Sequence, residues 1–110
     1  MKKLIVASLA LLIAGAVSLR AAEAKEIFEK DCAKCHGADG KGKTKMGEKL
    51  AVKDYTNAKV QEEMKDPEMV KAIKEGVKEK GTDKTKMKAF ADLSNDEVKS
   101  LVAYVRKFKK

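Results

Sequence analysis

A chain of 110 residues has room for one domain, and contents of 44% hydrophobic and 38% charged residues suit a small globule better than a disordered tail. Aromatics are only 5% and tryptophan is absent, so few large side chains can fill a core, and the length excludes multi-domain enzymes with large clefts. Lysine and arginine number 25 against 17 acidic residues, a net +8 that favours anionic partners, while two cysteines and one histidine fall short of a four-ligand structural zinc site.

The N-terminus reads as a targeting segment. Lys2 and Lys3 precede an almost unbroken apolar run from Leu4 to Ala14, and small residues follow. Ala22-Glu23-Ala24 fits the A-x-A pattern cut by signal peptidase, with Ala14-Gly15-Ala16 as a competing triplet upstream. The apolar stretch ends by Leu19, short of the roughly 20 residues a membrane-spanning helix needs, so cleavage is preferred to permanent anchoring. Residues 1–24 are expected to be a cleaved secretory signal peptide and 25–110 the mature domain. Export to the periplasm as a soluble protein follows, with no stable membrane insertion. No cysteine lies near the cut to carry a lipid.

Past the leader, helices alternate with glycine-rich or charged loops. Lys25 to Cys35 carries Ile27, Phe28 and Cys32 on one short apolar face that stops at His36-Gly37. Gly37, Gly40, Gly42 and Gly47 then mark a lysine-rich loop. Thr56 is positioned to cap a helix over Asn57 to Lys65. Asp66-Pro67 reads as an N-cap and N1 pair, followed by Met69, Val70, Ile73 and Val77 at helical spacing. Gly76 and Gly81 close that element, and Lys78 to Lys86 reads as a polar loop.

The last helix has the strongest local signals. Ser94 and Glu97 form a capping box, and Val98, Leu101, Val102, Val105 and Phe108 follow a helical stripe. Lys107, Lys109 and Lys110 complement the dipole at its C-terminus. No segment alternates with period two for long enough to indicate a strand. The expected fold is all-α.

The chemistry concentrates in Cys32-Ala33-Lys34-Cys35-His36, a C-x-x-C-H run of the kind that attaches c-type haem. Two thiols three positions apart on a helical turn can reach the two vinyl groups of one porphyrin, and the next residue places its imidazole under the iron. A thioredoxin-like redox pair would need a strand–helix setting that the sequence does not offer. A zinc site lacks a fourth ligand, and a plain Cys32–Cys35 disulfide is the simplest alternative. The export signal and the sparse aromatic core both weigh toward haem.

With these residues in order, the chain resembles the small monohaem class I cytochromes c. The resemblance runs from Ile27-Phe28 through Cys32-Ala33-Lys34-Cys35-His36-Gly37 to Asp39-Gly40 and Gly42. It resumes at Lys86-Met87-Lys88-Ala89-Phe90, Leu93-Ser94 and Leu101-Val102-Ala103-Tyr104-Val105-Arg106. It implies a cytochrome c-like helical fold wrapped around one covalently bound haem c, its first and last helices crossing, and one-electron transfer as the activity. Cys32 and Cys35 would then hold the haem by thioethers, with His36 as proximal and Met87 as distal iron ligand. Phe90 and Tyr104 would pack near the haem or the helix crossing. The chain departs from the family pattern at Lys88, where a proline often follows the methionine. Its only proline, Pro67, cannot mark the carbonyl acceptor for His36, and the glycine of the helix crossing falls at Ala24.

Position alone also favours Met87. Met1 leaves with the leader, Met64 and Met69 lie in helical segments, and Met46 follows His36 by only ten positions. Met87 lies 51 positions downstream of His36, in an expected loop just before the terminal helix. One histidine excludes bis-His ligation within the chain, and a closed iron suits electron exchange more than substrate binding. The expected function is therefore a non-enzymatic, monomeric one-electron carrier between redox proteins. The alternative is a ligand-binding or peroxidase-like haem protein with a displaceable sixth ligand. Lysines 41, 43, 45, 84, 86 and 88 would steer partners with acidic docking surfaces, and nothing interleaves aromatics with basic residues as a nucleic-acid site would.

Overall fold

Helix α1 leads the part of the chain that the computed structural model describes, residues 19–110. It is α-helical over 19–27, passes through one π turn at Phe28–Cys32, and closes with an α turn at Ala33–His36. The π turn is sealed by the Ala33 N–H, which donates to the Phe28 carbonyl. Such a turn inserts one residue and rotates the downstream face by about 100°, and these bulges are frequent at functional sites. Here it leaves Phe28 in the core and the Cys–His residues half-buried.

Helix α2, Lys45–Leu50, occupies part of the stretch expected to be loop. Thr44 caps it by accepting the Gly47 N–H at 2.9 Å, and its hydroxyl reaches the Lys34 and Cys35 carbonyls at 2.7 and 3.0 Å. One side chain thus starts α2 and ties it to the end of α1. Helix α3, Ala58–Glu63, is capped by Asn57, not by Thr56. Asparagine is at least as good a cap as threonine, and Thr56 is engaged elsewhere, its hydroxyl donating to Asp54 Oδ1 at 2.6 Å.

Helix α4, Asp66–Glu75, carries Pro67 in its first turn as expected, but Asp66 is already helical and Lys65 takes the N-cap position without a side-chain bond. The Asp66 carboxylate instead accepts from Arg106 Nη2 at 2.7 Å. The segment expected to be a polar loop is a small antiparallel ribbon, β1 (Val77–Lys78) paired with β2 (Thr85–Met87). Strands of two and three residues are too short to display alternation.

Helix α5, Asn95–Arg106, opens with the expected capping box. Ser94 Oγ accepts the Glu97 N–H at 3.1 Å and Glu97 Oε1 accepts the Ser94 N–H at 2.9 Å. Its stripe is buried at Val98, Leu101, Val102 and Val105, and Leu101 and Val105 meet Ala24 and Phe28 of α1. Phe28 packs its ring 5.1 Å from Tyr104 and 5.3 Å from Phe108. Buried Gln61 pins α3 to the same helix, donating to the Tyr55 and Val105 carbonyls at 2.7 and 2.9 Å. The fold is helical apart from the ribbon, with α1 and α5 packed together as expected.

Most of the leader expected over 1–24 lies outside the described residues. Its last residue, Ala24, does not: it is 1% exposed and sits in the core with Phe28, Leu101 and Val105. Among the described residues, no helix is long and apolar enough to cross a membrane.

Candidate cofactor site

Cys32, Cys35 and His36 occupy the last six residues of α1 together, all half-buried and with the two thiols unjoined. A redox-active Cys-x-x-Cys pair is activated at a helix N-terminus, where the dipole lowers a thiol pKa. Here the motif lies at the C-terminal end of its helix. Burial, with smaller effects of Asp31 and Cys35, pushes Cys32 up to about 11. Burial thus disfavours the thiolate that a redox-active pair uses. Among the described residues, no group of three or more His, Cys, Asp or Glu side chains is placed to hold a metal ion.

Burial also holds the His36 pKa below its ordinary value, so the ring is neutral at pH 7 and keeps a free lone pair. Its Nδ1 is the one buried side-chain nitrogen or oxygen among the described residues that has no hydrogen-bond partner. Tyr55 stacks on the imidazole with centroids 5.1 Å apart and planes inclined by 22°, while Phe28 lies 6.4 Å away. Tyr55 is itself fixed, its N–H donating to the Gly40 carbonyl at 2.8 Å. Aromatic packing therefore orients the imidazole where no proline-borne carbonyl does. Nothing in the sequence marked Tyr55 beyond its being one of few aromatics.

Met87 comes from another part of the molecule, half-buried on β2 opposite Val77. Met64 and Met69 pack against the α1–α5 core, which also takes in Cys32; Met87 stays outside that cluster. Met46 lies on α2 rather than in a loop. After Met87 the chain turns back to α4, where the Phe90 N–H donates to the Ile73 carbonyl at 2.8 Å. Lys88, standing where the family often has proline, lays its ammonium 5.7 Å from the centre of the Phe90 ring. Tyr104 is in the α1–α5 aromatic cluster, as expected for the helix crossing.

Gly47 on α2 makes the closest approach to the motif. A Cβ there would stand 2.2 Å from the Cys35 carbonyl oxygen and 2.3 Å from that of Gly42, both rigid backbone atoms. Gly47→Ala must push α2 away from the Cys–His turn. We expect a loss of about 1–3 kcal/mol or more, the usual cost of overpacking, measured as a lower denaturation midpoint. An unchanged midpoint would show that α2 does not brace the motif.

The donor set fits a covalently held haem: two thiols and a neutral imidazole, presented at the C-terminal end of one helix in a domain with little aromatic filling. Fold and site thus define a small helical haem-attachment domain. The cytochrome c family profile matches residues 21–109. A solved structure, the KustC0563 c-type cytochrome, is 33% identical and superposes with a TM-score of 0.65, covering 78% of this chain and 96% of that one. No curated protein matches the chain. The chain belongs to the cytochrome c family, whose members are haem-binding electron carriers with covalently attached c-type haem.

Proposed function

We propose that the protein is an exported one-electron carrier with a single haem c, held by thioethers from Cys32 and Cys35 and ligated by His36 Nε2 and Met87 Sδ. The observation that carries this reading is the Cys32, Cys35 and His36 set on the last turns of α1, with the Nδ1 of His36 buried and without a hydrogen-bond partner. When bound, the haem supplies a one-electron ferric/ferrous couple. The two cysteines would anchor it to the last turns of α1. Phe28 and Tyr55 flank His36 and limit rotation of the ring. A thioether from Met87 favours ferrous iron and raises the potential relative to a second imidazole, which this chain does not have. With His36 and Met87 both ligating, no position on the iron would remain for a substrate, which supports a carrier rather than an enzyme. Exported protein should carry the mass of one haem and give a sharp reduced α-band; a mass equal to the bare polypeptide would sink the proposal.

The N-terminal leader pattern supports export to the periplasm, where we propose that the protein is a soluble monomer. Burial of Ala24 bears on how it is processed. Cleavage after Ala24 removes a core residue, whereas cleavage after Ala14-Gly15-Ala16 keeps it, and the upstream site is the one we favour.

Docking partners would be redox proteins with acidic surfaces. Lys43, Lys45, Lys84 and Lys88 are exposed, Lys41 and Lys86 are half-buried, and none of the six forms an ion pair among the described residues. They flank the Cys–His turn and Met87 in the chain, so positive charge accompanies both ends of the site. If they steer encounter, electron-transfer rates to an acidic partner should fall steeply as salt shortens the Debye length below about 8 Å. A rate indifferent to salt would demote these lysines to plain surface.

A further inference from the structure

We infer that Gly76 is a positioning residue for Met87, its missing side chain allowing the end of α4 to seat the backbone that carries the sulfur. This rests on reading Met87 as the distal ligand.

Gly76 ends α4, its N–H donating to the Ala72 carbonyl at 2.9 Å. Its φ of +77° with ψ of −179° is a backbone region open essentially to glycine alone. A Cβ on it would stand 2.6 Å from the Met87 carbonyl oxygen, 2.9 Å from the Ala89 nitrogen and 3.2 Å from the Lys88 carbonyl carbon. All three are backbone atoms of the ligand segment, so no side-chain rotation relieves the contact. The segment would have to move.

Two further contacts show what would move. Val77, the next residue, pairs with Met87 across the ribbon, and Ile73, one turn earlier in α4, accepts the Phe90 N–H at 2.8 Å. Residues 87–90 are thus held between the end of α4 and β1, with Gly76 at the junction. Lys88 supplies no fixed φ to stiffen the segment, as proline would. The position of the sulfur therefore depends on what lies behind its backbone, where Gly76 leaves no room for a side chain.

Gly81 offers a control for positive φ alone. It lies between the same two strands with φ of +79°, yet a Cβ there would meet nothing within 4 Å. Gly81→Ala imposes positive-φ strain without the collision; Gly76→Ala imposes both. The readouts are the near-infrared sulfur-to-ferric-iron band, the affinity of the ferric protein for imidazole, and helix content with retained haem. Gly76→Ala is expected to keep haem and helix, lose most of the band, and bind imidazole roughly tenfold or more tightly, because apparent affinity scales with the fraction of open iron. Gly81→Ala is expected to keep the band. Adding Gly76→Ala to Met87→Ala should change imidazole affinity no further.

An undiminished band in Gly76→Ala, or equal loss in both glycine variants, overturns the inference while leaving Met87 as ligand. So does a Gly76→Ala chain that loses haem and helix where Met87→Ala keeps them, since that makes Gly76 a residue of the fold. A wild-type protein without the band overturns the Met87 reading itself, and this inference with it.

Discussion

Changing both Cys32 and Cys35 to serine should yield a chain that holds no haem and shows no cooperative unfolding. The buried apolar set among the described residues is Ala24, Phe28, Val98, Leu101, Val102 and Val105, with Phe28 and Val98 its largest fully enclosed side chains. Each large side chain contributes about 1.5–3 kcal/mol on burial, and a domain of this size has little surplus over chain entropy. Cys32 packs against that core, so a porphyrin attached there extends the same apolar cluster. Covalent attachment also keeps the filler from dissociating. Single serine variants should keep one thioether and an intermediate midpoint. Circular dichroism melting and the visible spectrum measure both. A cooperative, haem-free double variant would show that the protein core stands without its cofactor.

The second large effect belongs to Met87. Met87→Ala should remove the near-infrared charge-transfer band, lower the potential and open the iron to exogenous ligands. Met87→His should restore a low-spin site at a lower potential, because imidazole stabilises ferric iron better than a thioether does; axial ligands span roughly 0.8 V in such proteins. The other methionines should behave differently. Met64 and Met69 are half-buried against the α1–α5 core, so alanine there should cost less than the about 2–5 kcal/mol of a fully buried methionine and leave the band in place. Met46→Ala should likewise leave it. If the band disappeared on removing Met64 and survived removal of Met87, the ligand assignment would pass to the α3–α4 connection.

What could be read from the sequence divides along physical lines. The α5 helix was legible because its signals are local: a capping box at Ser94 and Glu97, then a stripe that repeats every turn. The Cys–His motif was legible because haem attachment constrains residue type and spacing within one helical turn. Features set by tertiary contact left no such trace. Helix α2 forms because Thr44 caps it while bonding to carbonyls at the end of α1, and six residues show no periodicity. The π turn before Cys32 has no composition of its own. Asn57 and Thr56 are both good caps, and only the turn made by Thr56 with Asp54 decides between them. Glycines 47 and 76 look like loop punctuation until the backbones beside them are seen. Tyr55 reaches His36 through folding, from a segment that carries no motif.

The central claim is that protein fills both axial positions of the iron, which separates a carrier from a ligand-binding or peroxidase-like protein. That alternative draws on the same structure: Met87 sits on a three-residue strand outside the main core, followed by lysine where a proline would stiffen the chain. Carbon monoxide titration of the reduced wild-type protein at neutral pH tests the claim most directly. The reduced spectrum is expected to stay unchanged through millimolar carbon monoxide, with binding appearing only in Met87→Ala. Stoichiometric conversion of the wild-type protein to the carbonmonoxy form would contradict it.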